Sequence, residues 1–459
     1  MSYAQAIESL YARGHELAQT NVANQHGVTN APPRKFDLAE MRILTAALAA
    51  PELAFHSVLI AGTNGKGSTA AVLANILKIA GYRTGLYTSP HLSRVNERVR
   101  INDVEISDDD FARLYFRVDE TGARLVREGK LPQHPSFFET MTAVAFLYFA
   151  EQSINIAVLE VGMGGRLDAT NIVEPTISVI TDISLDHTEW LGGSIDLIAR
   201  EKAGILRQNG VLVTLPQHPA ASQALGEVAA ALNVRGVSAV EFMPPRRDSE
   251  KNDSGFYGNP YSVTVAGTLV ELRPALAGTH QHRNAALAAA AACELCNNHG
   301  YNIAPHQIAE GIRTVRWPGR LELFPRAGDR AAVLLDVSHN PAGAWTLRSA
   351  LGRYSLAGRR TLVFGCLREK AFEEMAQILF PVFDRVILTP VNSPRTADID
   401  DLAAVAQLLG IEPQRAASAD EAMAMAQAEA AADSLIVCAG SVYLIGALRE
   451  PLLTAGDKV

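Results

Sequence analysis

The sequence is poor in cysteine, carries no excess of basic residues and has no long hydrophobic run. Four cysteines in 459 residues are too few for a disulfide framework, which predicts a reducing compartment such as the cytoplasm. The C-x-x-C pair Cys293 and Cys296 lies in an alanine-rich helical pattern without a second pair nearby. That setting favours packing in the core over a metal site.

The charge balance and hydropathy exclude two classes of partner. Lys and Arg number 41 against 49 Asp and Glu, so the chain lacks the basic field of a general nucleic-acid-binding protein. The most apolar helical run, residues 285–296, is too short to cross a bilayer and contains Glu294. The amino terminus lacks the pattern of a signal peptide. We expect a cytoplasmic monomer without nucleic-acid or membrane partners.

A glycine-rich turn at 61–68, with the sequence AGTNGKGS, stands between an apolar run and an alanine-rich helical pattern. Strand, turn and helix in this order form a phosphate cradle, in which backbone N–H groups and the helix dipole favour negative charge. The predicted ATP contacts in this turn are Gly62, Thr63, Asn64, Gly65, Lys66, Gly67 and Ser68, with Lys66 as the mobile cation.

The turn departs from the usual phosphate-loop pattern at two positions. Ile60 and Gly67 stand where that pattern has its first glycine and the Ser/Thr that follows the lysine. Because this hydroxyl normally binds magnesium, a magnesium ligand must come from another part of the chain.

Short β-branched runs alternate with longer helical patterns, which is typical of parallel α/β proteins. Strands are predicted at 57–61, 155–161, 176–180, 211–215, 332–336, 361–364, 385–389 and 435–438. Pro318-Gly319 separates the two groups of strands. We predict a first domain over 1–315, a hinge at 316–320 and a second domain over 321–459.

Three further segments, at 87–92, 159–171 and 181–190, have the character of site residues. The first follows an apolar run and a glycine, and the other two lie at the ends of predicted strands. Ligands of open parallel sheets bind at the carboxyl ends of the strands, where these segments and the phosphate loop would meet. Taken singly, each could be only a turn, a cap or a structural histidine. Together they predict a nucleotide site.

The motifs GTNGKGS, YTSPHL, LEVGMGGRLDATN, DHTEWLG, REKAGI, WPGRLE, DVSHNP and AGSVYLIG resemble the folylpolyglutamate synthase/dihydrofolate synthase family of Mur-type ligases. The resemblance runs in order from Ile60 to about Gly446. It implies a P-loop-containing parallel-sheet ATPase domain followed by a smaller Rossmann-like α/β domain. It also implies ATP-dependent attachment of L-glutamate to dihydropteroate or to the γ-carboxylate of reduced folates, through an acyl phosphate.

The resemblance also assigns the missing metal ligands. Ser89, Glu160 and His187 match the family's magnesium ligands, and Lys202 matches a lysine that the family carries as a CO2-derived carbamate. As a carbamate, Lys202 could hold a second magnesium ion. The structural alternative is an unmodified lysine paired with Glu201.

Other contacts follow from the same resemblance. Asn284, Arg320 and Asp336 match ATP contacts; from the residues alone, Arg320 would be a surface charge and Asp336 a strand-end cap. The positions that match the acid-binding segments are Ser136, Phe137, Phe138, Glu139, Leu167, Asp168 and Ala169. A phenylalanine there could stack on a pterin ring or simply pack in the core. His339, assigned as catalytic, and Ser441 match the region that the family associates with glutamate.

Two segments depart from the family pattern. Residues 20–35 do not read like the usual start of a member, and Arg368-Glu369-Lys370 stands where members often have Asp-Lys-Asp. Three alternatives to a bifunctional enzyme stay open: a monofunctional folylpolyglutamate synthase, a cell-wall Mur ligase and a non-catalytic nucleotide switch. About sixty residues precede the phosphate loop, which is short for the uridine-nucleotide domain that a cell-wall ligase would need.

Overall fold

The computed structural model describes residues 2–12, 38–245, 259–326, 330–354 and 358–456. The unusual segment 20–35 therefore lies outside the described residues. The chain forms two compact units. The first comprises Met1–Ser89, Asn96–Val240 and Leu287–Gly311, and the second comprises Pro90–Val95, Glu241–Ala286 and Ile312–Val459. The hinge at 316–320 and its two flanking domains stay a prediction.

An eight-stranded sheet forms the centre of the first unit. Its strands are β1 (His56–Ala61), β2 (Thr84–Tyr87), β3 (Val99–Ile101), β4 (Val104–Glu105), β5 (Ile156–Glu160), β6 (Ile177–Ile180), β7 (Val211–Thr214) and β8 (Arg235–Ser238). The order is β4-β3-β2-β5-β1-β6-β7-β8. The six neighbouring strands β2, β5, β1, β6, β7 and β8 are parallel to one another. The four strands at its centre, β2, β5, β1 and β6, are buried along almost their whole length, as in other parallel sheets covered on both faces.

Helices follow the strands of this sheet. Those of the first unit are α1 (Tyr3–Ala12), α2 (Leu38–Ala47), α3 (Lys66–Ile79), α4 (Asp108–Arg127), α5 (Phe137–Glu151), α6 (Thr188–Leu191), α7 (Ile195–Ala203) and α8 (Pro219–Ala231). Residues of both units occur in α9 (His280–Asn298) and α10 (Pro305–Thr314). No described helix is both long enough and apolar enough to cross a membrane.

The second unit contains a β-hairpin and a six-stranded sheet. Its strands are β9 (Tyr261–Val265), β10 (Thr268–Leu272), β11 (Glu322–Phe324), β12 (Ala332–Leu335), β13 (Arg360–Phe364), β14 (Arg385–Leu388), β15 (Gln414–Arg415) and β16 (Leu435–Ala439). The sheet order is β11-β12-β16-β13-β14-β15, and only β11 is antiparallel to its neighbour. Its helices are α11 (Pro341–Arg353), α12 (Phe372–Leu379), α13 (Ile399–Leu408), α14 (Ala419–Ala428) and α15 (Val442–Gly456).

The predicted α/β architecture with parallel sheets is confirmed. All eight strands expected from the sequence are present within a residue or two of their expected ends. Eight further described strands were not predicted: the parallel strands β2, β8 and β15 and the antiparallel strands β3, β4, β9, β10 and β11. Most of them are short or lie at the edges, where the apolar runs are weakest. Cys293 and Cys296 are half-buried and form no disulfide.

Candidate functional site

The phosphate loop joins β1 to α3 and needs glycine at two places. A Cβ on Gly62 would lie 1.8 Å from Thr181 Oγ1, so no side chain fits between the loop and the end of β6. Gly65 has φ +88°, in the left-handed region, and it caps the helix that starts at Lys66. The loop therefore lies close against the neighbouring strand, with its N–H groups at the start of α3.

Residues after β6 support the other side of the loop. The Thr63 N–H donates to Asp182 O at 2.8 Å. The Thr63 hydroxyl donates to Ser184 O at 3.0 Å and accepts from the Ser184 N–H at 3.1 Å. The Asn64 amide contacts the Ser184 hydroxyl at 3.3 Å. These bonds fix the conformation of the loop before any ligand binds.

Two lysines reach the phosphate loop from different helices. Lys66, the first residue of α3, donates through Nζ to Thr63 O at 3.2 Å. Lys202 of α7 is buried and donates to Gly62 O at 2.7 Å. Burial, assisted by the charge of Lys66, lowers the pKa of Lys202 from 10.5 to about 7. Lys202 thus loses its proton much more easily than an exposed lysine.

The residues proposed as magnesium ligands follow strands on both sides of the loop. Because β5 lies between β2 and β1, Ser89 and Glu160 follow neighbouring strands, and the Ser89 N–H donates to Glu160 Oε2 at 3.1 Å. Glu160 is only 5% exposed. His187 lies after β6 and is the N-cap of α6, with φ +51°. Its Nε2 lies 3.9 Å from Asp186 Oδ1.

The donor set fits magnesium. A buried carboxylate beside a serine, at the edge that carries a phosphate loop, provides the few hard protein ligands that magnesium combines with phosphate oxygens and water. The described residues contain no cluster of three or more His, Cys, Asp or Glu arranged as an all-protein metal site.

Three residues of the first acid-binding segment have structural contacts at the start of α5. Ser136 and Glu139 form a capping box: Ser136 Oγ accepts from the Glu139 N–H at 3.3 Å, and Glu139 Oε2 accepts from the Ser136 N–H at 2.7 Å. Phe137 is 3% exposed and packs beneath the Arg98 guanidinium, 5.2 Å from its ring centroid. Phe138 is half-buried, 6.1 Å from the Tyr87 ring.

The second segment predicted to bind the acid is organised by a buried carboxylate. Asp168 Oδ2 accepts from the N–H groups of Gly162 at 3.0 Å and Met163 at 3.1 Å, and Oδ1 accepts from the Thr170 N–H at 3.0 Å. Burial raises the pKa of Asp168, and these hydrogen bonds oppose the rise. Leu167 is half-buried and Ala169 is buried. Asp168 therefore holds the loop after β5 in shape.

The second unit brings several predicted residues to one edge of its own sheet. Asp336 follows β12. Its Oδ2 accepts a hydrogen bond from the Leu321 N–H, and its Oδ1 accepts one from the Ser338 N–H, both at 2.9 Å. Burial raises the pKa of Asp336, while the charge of half-buried Arg320 opposes the rise. Ser441 follows the adjacent strand β16, is buried and accepts from the Tyr443 N–H at 3.2 Å.

Two other predicted residues of this unit are fixed by local contacts. His339 Nδ1 lies 3.0 Å from Val337 O, so this nitrogen carries a proton and donates it to the carbonyl. Asn284, in α9, is buried and donates to Gln281 Oε1 at 2.8 Å. The bond to Val337 O therefore fixes the orientation of the His339 ring.

Sequence reasoning missed several supports of the site. Thr181 and Ser184 support the phosphate loop, and Arg98 is a fully buried cation over Phe137. The segment 181–190, which contains Thr181 and Ser184, was expected at the site, but the contacts of these two residues with the loop were not predicted. Nothing in the local pattern marked Arg98 as buried.

The chain is similar to known proteins over most of its length. The chain matches the Mur ligase middle domain over residues 60–292 and the Mur ligase, glutamate ligase domain over residues 319–442. The dihydrofolate synthase/folylpolyglutamate synthase of Bacillus subtilis (strain 168) is 31% identical over 417 residues, which cover 90% of this chain and 94% of that protein. The enzyme with the same two-part name from Escherichia coli (strain K12) is 33% identical over 393 residues, 85% of each chain.

Solved structures are similar as well. A Mycobacterium tuberculosis folylpolyglutamate synthase complexed with ADP and AMPPCP gives a TM-score of 0.82 at 31% identity, over 91% of this chain and 95% of that one. E. coli FolC in complex with DHPP and ADP also gives 0.82, at 27% identity, over 100% of this chain and 99% of that one.

Proposed function

Because this chain belongs to the folylpolyglutamate synthase/dihydrofolate synthase family of Mur ligases, we propose that it attaches L-glutamate both to dihydropteroate and to the γ-carboxylate of reduced folates. It is an ATP-dependent ligase, as its family membership indicates. The observation that carries the proposal is the row of strand ends β2, β5, β1 and β6, which gathers a phosphate loop, a buried carboxylate and a buried lysine. The relatives with both activities in their names support a bifunctional enzyme over a monofunctional one.

The phosphate loop binds the triphosphate of ATP in this proposal. N–H groups from Gly62 to Ser68 face the phosphates, and Lys66 exchanges its bond to Thr63 O for the terminal phosphates. We assign further ATP contacts to Asn284, Arg320 and Asp336, on the family resemblance. The bond from the Leu321 N–H to Asp336 Oδ2 supports a role in shaping the turn that contains Leu321.

Ser89, Glu160 and His187 would hold magnesium. When bound, magnesium neutralises phosphate charge and polarises the γ-phosphoryl group toward attack. The chain's own contribution is to keep the Glu160 carboxylate in a buried position next to Ser89, through the Ser89 N–H bond. His187 is held at the start of α6 by its left-handed backbone conformation.

Phosphoryl transfer is the first chemical step. An oxygen of the substrate carboxylate attacks the γ-phosphorus, the bond to the bridging oxygen breaks, and ADP leaves with that electron pair. The product is an acyl phosphate. Lys66 stabilises the charge that shifts onto the phosphoryl oxygens, and the rigid loop orients the phosphate.

Amide formation is the second step. The neutral amino group of L-glutamate attacks the acyl carbon, the C–O bond to phosphate breaks, and inorganic phosphate leaves. We assign Ser441 to binding of the glutamate and His339 to accepting the proton that the amine releases. The Nδ1–H bond of His339 to Val337 O supports this role, because it makes Nε2 the basic nitrogen.

Phe138, Leu167, Asp168 and Ala169 are proposed to bind the pterin end of the acid. Phe138 is the one ring of its segment that is half-buried beside the Glu160 loop, and it could stack on a flat heterocycle. The roles of Ser136, Phe137 and Glu139 in this binding would be indirect, since they cap α5 or pack below it.

We also propose that Lys202 reacts with CO2. Its lowered pKa leaves a large fraction of neutral amine at pH 7–8, which is the form that attacks CO2 and then loses one proton to give a carbamate. The remaining N–H could keep the bond to Gly62 O, while the new carboxylate would offer oxygens to a second magnesium ion. Carbon-13 NMR in labelled bicarbonate tests this: a carbamate signal is expected in wild type and absent in Lys202→Met.

The main experiment compares two acids. Purified protein receives ATP, magnesium and L-glutamate with either dihydropteroate or tetrahydrofolate, and the products are identified by mass spectrometry. We expect one added glutamate with dihydropteroate and one or more with tetrahydrofolate. No amide product from either acid would overturn the proposal, and a product from tetrahydrofolate alone would leave a monofunctional enzyme.

ATP hydrolysis that does not depend on acid or glutamate would instead favour a nucleotide switch. Light scattering on the same preparation tests the proposed monomer. We also propose that the protein works in the cytoplasm; fractionation of the source cells tests this.

A further inference from the structure

Six residues that follow Ser89 belong to the second compact unit, although the chain on both sides of them belongs to the first. We call this segment, Pro90–Val95, the strap. It starts directly after a proposed magnesium ligand, and it is not explained by the phosphate chemistry.

The strap is seated on the last helix of the second unit. A Cβ on Gly446, in α15, would lie 2.0 Å from Leu92 O and 2.7 Å from Leu92 C. The Ser93 hydroxyl donates to Gly446 O at 3.4 Å, and the Leu92 side chain packs against the unit's core. The absence of a side chain at position 446 therefore allows the strap backbone to approach the helix.

The chain on each side of the strap is anchored. Before it, the Thr88 N–H donates to Arg98 O at 3.0 Å, and the Ser89 N–H donates to Glu160 Oε2 at 3.1 Å. After it, the Asn96 amide donates to Ile106 O at 2.8 Å. Three peptide bonds join Ser89 to Leu92, and the ring of Pro90 fixes one of the intervening φ angles, so a shift of the Leu92 backbone has only a short path to Ser89.

We propose that Gly446 is a positioning residue for Ser89, acting through the seated strap; the consequence for catalysis rests on the proposed function. An added methyl group at 446 would meet backbone atoms, which cannot rotate away as a flexible side chain could. The strap would have to lift from α15, and the Ser89–Glu160 bond would weaken.

The variant Gly446→Ala tests this with amide exchange on the protein without ligands. We expect exchange of the Ser89 amide to speed up by about tenfold or more, as for a segment that opens more readily. Manganese, used as a paramagnetic probe with ADP, should bind more weakly. A misplacement of about 1 Å can lower a rate about 100-fold, so kcat should fall while the KM for glutamate changes little.

Two glycines of the second unit serve as controls. Gly352→Ala adds the same methyl in a helix where nothing lies within 4 Å, and Gly358→Ala adds it 2.3 Å from Asp433 O, away from the strap. In both variants the Ser89 amide should exchange at the wild-type rate. This holds for Gly358→Ala even if that variant has a lower melting temperature.

Leu92→Ala is the second test. It loosens the strap without changing α15, so it tests the proposal even if Gly446→Ala fails to fold. It should also speed up exchange at Ser89. Unchanged exchange in either folded variant, or equal acceleration in Gly358→Ala, would overturn the proposal. Amide exchange is measured without turnover. A failure to form any amide product would contradict the proposed function, and the exchange test of the strap would still be decisive.

Discussion

Two lysines contact carbonyl groups of the same phosphate loop but differ in their surroundings. Lys66 lies at the start of α3 and is partly exposed, whereas Lys202 is buried in α7. The charge of Lys66 contributes to the low pKa of Lys202. Lys66 is therefore suited to meet an incoming phosphate, and Lys202 to hold the loop and to exchange its proton near pH 7.

Replacing Lys66 with methionine should remove ATP turnover while leaving the fold intact. The cation that stabilises the moving phosphoryl group is lost, which typically costs about 100- to 1,000-fold in kcat. Lys78→Met is the matched control, because Lys78 lies in the same helix but pairs with Asp103 at the surface. ADP release and circular dichroism are measured together; full activity in the Lys66 variant would rule out its role.

The low pKa of Lys202 should appear in the pH dependence of stability. Between its folded value of about 7 and its unfolded value of 10.5, the unfolded chain holds the extra proton. The unfolding free energy of wild type should therefore rise above pH 7 by about 1.4 kcal/mol per pH unit relative to Lys202→Met. Below pH 7, Lys202 is protonated in both the folded and the unfolded chain, and burial of its charge lowers the unfolding free energy by its full amount.

Urea titrations in CO2-free buffer from pH 7 to 9 measure this difference. Lys78→Met should show no comparable slope. A constant difference between wild type and Lys202→Met over this range would contradict the lowered pKa.

The loop after β5 joins the proposed metal and acid sites. Glu160 ends the strand, and Asp168 binds the backbone of Gly162 and Met163 two and three residues further on. Phe138 then packs over Gly162: a Cβ at position 162 would lie 2.6 Å from the end of its ring. A small change in this loop should therefore alter binding of the acid before it alters ATP binding.

The variant Gly162→Ala should raise the KM for dihydropteroate by about tenfold, the scale of one misplaced methylene in a binding pocket. The KM for ATP should stay close to wild type, because the phosphate loop is braced separately by Ser184 and Lys202. Gly226→Ala, which adds a methyl group to α8 with nothing within 4 Å, is the control. Equal changes in both KM values would count against an acid site at Phe138.

Across the molecule, eight of the parallel strands could be predicted because burial on both faces demands continuous apolar runs, such as 57–61 and 435–438. The residues that follow β2, β5, β1 and β6 were also expected to share one edge, and they do. Tertiary contacts between distant segments were not predictable. Examples are the bond from Lys202 to Gly62, the burial of Arg98 and the membership of Pro90–Val95 in the second unit.

Binding of AMP-PCP with magnesium should raise the melting temperature of the whole protein. A ligand at 100 times its Kd stabilises the folded state by about 2.7 kcal/mol, and chelation of magnesium should remove most of this gain. Glu160→Gln should lose the magnesium-dependent part. Glu174→Gln, an exposed change in the same unit, should keep it. A magnesium-dependent gain that survives in Glu160→Gln would argue against Glu160 as a ligand.

Oxygen transfer from the acid to phosphate tests the central claim, an acyl phosphate formed from ATP, most directly. The substrate is tetrahydrofolate with oxygen-18 in its γ-carboxylate, incubated with the enzyme, ATP, magnesium and L-glutamate. The mechanism predicts one labelled oxygen in the inorganic phosphate released with the first amide bond that each tetrahydrofolate forms. First-amide formation with unlabelled phosphate, or with the label in AMP, would contradict it.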